Sequence, residues 1–173
     1  MEERADVVTM KGAPLTLLGK TPSVGEAAPD FDVTANDLST VSFCSFRGKV
    51  CIIASVPSLD TPVCDVEARR FNKETERLGP KVAVLTISMD LPFAQQRWCG
   101  AAGIKNVQTL SDYQQAAFGQ AYGVLIKDLR LLARAVFVVD AAGVIRHVQI
   151  VKEITSEPDY DAVLQATKEL LTD

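Results

Sequence analysis

Apolar positions along the chain fall into short runs of two kinds, alternating and continuous, separated by turn residues. Val7–Leu18 sets two short β-prone runs around Lys11-Gly12-Ala13-Pro14 and predicts a hairpin. Thr21–Pro29 is rich in Pro, Gly and Ser and predicts a loop. Phe31-Asp32-Val33 and Val41-Ser42-Phe43 alternate like half-buried strands across the turn-rich Ala35-Asn36-Asp37. Val50–Val56 is a continuous, largely apolar run with β-branched bias, as expected of a strand buried on both faces. Beyond Thr61-Pro62 the pattern turns helical as far as Leu78, where Gly79-Pro80 stops it. Val82–Ser88 predicts a second buried strand, Pro92–Ala101 a short helix and Ser111–Tyr122 another. Arg134–Val139 and Val144–Val151 predict two strands joined at Asp140-Ala141-Ala142-Gly143, and Tyr160–Leu171 an amphipathic closing helix.

Buried strands linked by a helical crossover and followed by a hairpin point to an α/β architecture of thioredoxin-like type. A central mixed sheet would be flanked by helices and preceded by the N-terminal hairpin at about 7–18. No repeat, low-complexity stretch or linker interrupts the order, so residues 1–173 are expected to form a single domain.

Composition narrows the function. At 173 residues the chain is long enough for a full core without disulfide staples, and 47% hydrophobic with 23% charged residues is ordinary for a globular protein. The net charge is −4 with both signs interleaved, and no basic block matches a run of phosphates, which argues against nucleic acid. No apolar run nears the roughly 20 residues of a membrane span. The polar start, Met1 to Asp6, carries no signal-peptide core, so the expected location is cytoplasmic. In that reducing compartment a structural disulfide framework is not expected for Cys44, Cys51, Cys64 and Cys99. Their spacings of 7, 13 and 35, with His147 the sole histidine, do not match a zinc site. No metal or cofactor is expected.

The stretch that carries chemistry is Asp60-Thr61-Pro62-Val63-Cys64. Thr61 is a good N-cap and Pro62 suits the first helical position, which sets Cys64 in the first turn. Unpartnered backbone N–H groups and the positive end of the helix dipole favour thiolate there, and thiolate is the reactive form. Thr61 occupies the position where a Cys-x-x-Cys redox centre would have its first cysteine, so a second thiol must come from elsewhere, or none. Cys44 and Cys51 read as packing residues in or beside strands, His147 as exposed on a strand, Arg69 and Arg70 as solvated helix residues of which one could add positive potential near Cys64, and Phe118/Tyr122 as core or interface.

The chain resembles the thiol peroxidase branch of the peroxiredoxins, the atypical two-cysteine type. Pro57 with Thr61-Pro62-Val63-Cys64 resembles the Pro-x-x-x-Thr-x-x-Cys motif. Asp90-Leu91-Pro92-Phe93-Ala94-Gln95-Gln96-Arg97-Trp98-Cys99-Gly100 resembles the segment of the resolving cysteine. Leu131-Leu132-Ala133-Arg134-Ala135 resembles the strand of the active-site arginine, and Glu153–Tyr160 the approach to the last helix. Trp98 stands where phenylalanine is usual, and Asp65 where a small residue is usual. An acid beside Cys64 would oppose its activation.

The resemblance implies that Cys64 attacks the peroxide, Cys99 resolves the sulfenic acid through an intrasubunit disulfide, and thioredoxin reduces that disulfide. Arg134 would hold the thiolate and orient the peroxide, Thr61 would bond to the peroxide oxygens, and Pro57 would shield the sulfur. It also implies alkyl or lipid hydroperoxides over hydrogen peroxide, and a homodimer. Two other classes stay open from the residues alone: a disulfide oxidoreductase of other proteins, which the missing Cys-x-x-Cys disfavours, and a redox sensor using the same oxidation of Cys64.

Overall fold

The computed structural model describes residues 1–172. A seven-stranded sheet forms its centre, built from β3 (Asp32–Thr34), β4 (Thr40–Ser42), β5 (Val50–Ser55), β6 (Val82–Ser88), β7 (Val107–Ser111), β9 (Ala135–Val139) and β10 (Ile145–Ile150). Their spatial order is β10-β9-β5-β6-β7-β3-β4. β5 runs parallel to β6, and β6 to β7, whereas β9 lies antiparallel to β5. The helices are α1 (Pro62–Leu78), α2 (Pro92–Ala102), α3 (Ala117–Ala121) and α4 (Tyr160–Leu171). A separate three-stranded sheet joins the hairpin β1 (Glu3–Met10) and β2 (Ala13–Leu18) to β8 (Leu125–Ile126).

The continuous apolar run at Val50–Ser55 is buried along its whole length because both faces of the sheet are covered. Val50, Ile52 and Ala54 point to one side, against Phe71 of α1 and Val163 of α4, with Val136 and Val138 of β9 on the same face. Cys51 and Ile53 point to the other, into a cluster with Leu85, Phe137, Phe118 and Tyr122. Period-two alternation thus feeds two cores, and each fully buried Val or Ile side chain contributes about 1.5–3 kcal/mol. Phe118 and Tyr122 stack with centroids 4.7 Å apart, in the core, the first of the two places expected for them.

Several expectations are corrected. The hairpin begins at Glu3, earlier than Val7. Val107–Ser111 is a strand that the sequence reading passed over, and the expected helix over Ser111–Tyr122 shrinks to Ala117–Ala121. Between them Ala116 takes a left-handed conformation (φ 51°), while the Asp112 carboxylate accepts from the N–H groups of Phe118 and Gly119. That capped turn uses the residues a longer helix would need. Phe43–Phe46 is a short 3-10 helix rather than a strand end, which leaves Cys44 exposed and not packed. Arg134 lies just before β9 and is buried. His147 is half-buried on β10, not exposed: it pairs with Val138 of β9, and its Nε2 is covered without a hydrogen-bond partner among the described residues.

Candidate active site

Strand pairing brings the site together. The end of β5 pairs Ser55 with Ala135 of β9, and the Ser55 hydroxyl donates to the Ala133 carbonyl at 2.7 Å. Arg134 is therefore fixed beside the point where the chain leaves β5 through Val56 and buried Pro57 toward α1. Thr61 caps that helix as the sequence predicts: its Oγ1 accepts from the Cys64 N–H at 3.3 Å and donates to the Ser58 carbonyl at 3.1 Å. Pro62 opens the first turn, and Cys64 within it is fully buried.

The Arg134 guanidinium divides its donors among three acceptors. Nη2 reaches Cys64 Sγ at 3.1 Å, Nη1 reaches Glu67 Oε2 at 2.5 Å, and Nε reaches the Ile154 carbonyl at 2.9 Å. Burial works against its charge, but Glu67 and Cys64 outweigh that and hold the guanidinium ionised. Burial pushes the Glu67 carboxyl up to about 7 against the opposing pull of Arg134, and its second oxygen has no hydrogen-bond partner among the described residues. A planar fork bound on three sides is held in one orientation, which a flexible ammonium would not be.

The loop that carries Ile154 is itself braced. Glu153 accepts from the Thr9 hydroxyl and the Gly12 N–H, both at 2.9 Å, and from Thr155. Those bonds hold its carboxyl well below the usual carboxylate range. The N-terminal hairpin thereby supports the backbone that positions Arg134.

A second brace holds the loop before Cys64. Asp90 accepts from the Ser58 hydroxyl (2.7 Å), the Leu59 N–H (2.9 Å) and the Ser88 hydroxyl (2.7 Å), tying the loop to the end of β6. Sequence reasoning used Asp90 only as part of a motif and missed Glu67 altogether. The available signal for Glu67 was its position three residues after Cys64, on the same helix face.

Cys99 sits half-buried on α2. Its sulfur lies 3.3 Å from the Thr109 hydroxyl on β7, which in turn donates to Asn36 Oδ1 at 3.3 Å. Cys64 and Cys99 both border a small cluster of Val56, Leu59, Ala68 and Trp98, yet each sulfur is held by its own partner and both are free thiols. The Asp65 carboxylate, expected to oppose Cys64, is engaged elsewhere: it accepts from Trp98 Nε1 at 2.9 Å and pairs with Arg69 at 2.9 Å. Arg70 lies over the Tyr160 ring, 4.8 Å from its centroid. Cys51 is buried as expected, and burial pushes its thiol up to about 11.

Among the described residues no group of three or more His, Cys, Asp or Glu could hold a metal ion, and no helix is long and apolar enough to cross a membrane. What the arrangement offers is a buried sulfur at a helix start, under a fixed cation, with a second thiol one helix away. Such a centre suits attack on a small electrophile in which negative charge spreads from sulfur onto the leaving atom.

A family profile described as Redoxin matches residues 23–164. The chain is 56% identical to a thiol peroxidase of Oceanobacillus iheyensis over 91% of its own length and 95% of that protein's. It is 52% identical to a thiol peroxidase of Bacillus subtilis, over 95% and 98% of the two lengths. Among solved structures, a peroxiredoxin-like protein from Aquifex aeolicus superposes with a TM-score of 0.89 at 44% identity, covering 96% of this chain and 97% of that one. The shared architecture is thioredoxin-like, as the order of strands and helices predicts.

Proposed function

The chain belongs to the Redoxin family and is a thiol-dependent peroxidase, and from that premise we propose that Cys64 is the thiol that attacks the peroxide and Cys99 the thiol that resolves it. The Cys64 thiolate attacks the terminal oxygen of ROOH and the O–O bond breaks: the OH group goes to sulfur as a sulfenic acid, and the departing RO⁻ takes up the proton that the thiol released on ionising and leaves as ROH. Arg134 stabilises the negative charge as it passes from sulfur to the leaving oxygen. Thr61 holds the first turn and offers the remaining lone pair of its hydroxyl to the peroxide O–H, and Pro57 keeps bulk water from the sulfur. The Cys99 thiol then condenses with the sulfenic acid, releasing water and leaving an intrasubunit disulfide. A thioredoxin-type dithiol reduces it by exchange.

The observation that carries this reading is the 3.1 Å contact of Arg134 Nη2 with Cys64 Sγ in the first turn of α1. Alkyl and lipid hydroperoxides are the substrates we favour, with hydrogen peroxide as a poorer one. The whole chain acts as one domain in the cytoplasm, and its assembled form is a homodimer. Exposed Leu91 and Phe93 at the start of α2 offer apolar surface to a second copy. The test is peroxide consumption coupled to NADPH through thioredoxin and its reductase. Many turnovers per subunit are expected, and a single stoichiometric burst with no coupled turnover would favour a sensor.

A further inference from the structure

Asp65 and Trp98, neighbours in sequence of the two cysteines, meet each other. Asp65 follows Cys64 on α1, Trp98 precedes Cys99 on α2, and the indole N–H donates to Asp65 Oδ1 at 2.9 Å. The other carboxylate oxygen takes Arg69 Nε at 2.9 Å, and Arg69 Nη1 reaches across to the Ala102 carbonyl at 3.3 Å. Both ties therefore grip the second half of α2.

The two halves of that helix are held differently. The first is anchored by buried Gln95, whose amide donates to the Ser88 hydroxyl and the Leu110 carbonyl, both at 2.9 Å. The second half carries Cys99 and ends at Gly103 in a left-handed conformation (φ 67°). Beyond the packing of the Trp98 ring, its side-chain ties are the Asp65–Arg69 clasp and the Cys99–Thr109 contact. A disulfide needs Cα atoms within roughly 4.4–6.8 Å. Cys99 Sγ, now 3.3 Å from Thr109 Oγ1, and Cys64 Sγ, now 3.1 Å from Arg134 Nη2, have to come within bonding distance of each other before the disulfide can form.

We propose that Asp65 and Trp98 form a latch between the two cysteine-bearing helices, and that its opening sets the rate at which Cys99 reaches oxidised Cys64. The inference rests on the reading of Cys99 as the resolving thiol. While the latch is closed, Cys64 sulfenic acid waits in its buried pocket and a second peroxide can carry it to sulfinic acid. Once the latch opens, Cys64–SOH and Cys99–SH give the disulfide and water. Asp65 and Trp98 are thus positioning residues that divide the sulfenic acid between these two fates.

Trp98→Phe keeps the ring and removes the donor, without touching the charge beside Cys64. Asp65→Ala removes the acceptor. Rapid-quench alkylation and mass spectrometry follow sulfenic acid, disulfide and sulfinic acid separately. Disulfide formation is expected to be roughly tenfold faster in either variant, the size of one charge-assisted hydrogen bond. In Trp98→Phe the preceding oxidation of Cys64 should be unchanged, and half-maximal sulfinic acid should need a correspondingly higher peroxide concentration. The double variant should be no faster than the faster single one, because both changes break one contact. Arg69→Gln should give a smaller acceleration of the same sign. Disulfide formation at the wild-type rate, or slower, in both single variants would overturn the latch. Absence of any Cys64–Cys99 disulfide in the wild type would instead overturn the reading beneath it.

Discussion

Arg134 Nη2 lies 3.1 Å from Cys64 Sγ although 70 residues separate them in sequence, and neither side chain is exposed. The contact depends on fork geometry, since the same guanidinium also serves Glu67 and the Ile154 carbonyl. Arg134→Lys keeps the charge but cannot fill three directions. The rate of Cys64 oxidation is expected to fall about a hundredfold, the order seen when one preorganised donor to developing charge is removed. Stopped-flow measurement with an alkyl hydroperoxide checks it, and a rate within twofold of wild type would mean that the arginine does not act on the reacting atoms.

The cysteines divide by environment. Cys64→Ser is expected to abolish turnover, and Cys99→Ser to consume one peroxide per subunit and then stall. Cys44 is exposed on a 3-10 helix, away from Arg134 and the start of α1, and Cys51 is buried with its thiol pushed up to about 11, so neither has the surroundings that activate a nucleophile. Serine at either position should leave turnover within about twofold. Peroxide consumption without added reductant, followed by coupled turnover, separates the Cys64 and Cys99 variants from each other and from the other two, and a large loss in Cys44→Ser or Cys51→Ser would contradict the division.

Glu67 gives stability a dependence on pH. Its carboxyl is raised from 4.5 to about 7 by burial, with Arg134 pulling the other way. The folded state therefore binds the proton more tightly than the unfolded state. The stability this confers is complete below pH 4.5 and is lost as pH rises through 7. Glu67→Gln has no such proton to lose. Its stability relative to wild type, from urea unfolding, should improve by about 3 kcal/mol between pH 4.5 and pH 8. Parallel profiles for the two proteins would show that the carboxyl ionises normally in the fold.

Much of this was legible along the chain because local signals agreed. Thr61 and Pro62 mark the start of α1 by capping chemistry alone, and the bonds of Thr61 to Cys64 and Ser58 are the local geometry that such a cap implies. The run at Val50–Ser55 could hardly be anything but a strand covered on both sides. Where local signals were weak the reading failed. Val107–Ser111 has too brief and too polar an alternation to declare a strand, and becomes one only by pairing with β6. Glu67 sits among Asp65, Arg69 and Arg70, and nothing in that run marks which charge is buried; its partner, 67 residues on, decides. Cys44 was misread because a strand was expected to continue where a 3-10 turn lifts it to the surface.

The reduced fold keeps each sulfur with its own partner, and disulfide formation is expected to disturb α2. Trp98, the only tryptophan, is nearly buried and adjacent to Cys99. One equivalent of peroxide is expected to change the intensity or wavelength of its emission, and a dithiol to reverse the change. Cys99→Ser should lose the slower part of the signal. Amide exchange across 92–102 should quicken on oxidation. Identical emission and exchange in the two redox states would mean that the helix does not move.

The proposed catalytic cycle turns on one bond, between Cys64 and Cys99 of the same subunit. Treating the reduced protein with one equivalent of hydroperoxide, blocking remaining thiols and mapping the peptides by mass spectrometry tests it directly. The expected map shows Cys64 joined to Cys99 within a chain that runs as a monomer on a non-reducing denaturing gel, with Cys44 and Cys51 recovered as blocked thiols. A lasting sulfenic acid at Cys64, a bond from Cys64 to Cys44 or Cys51, or a link between two subunits would contradict it.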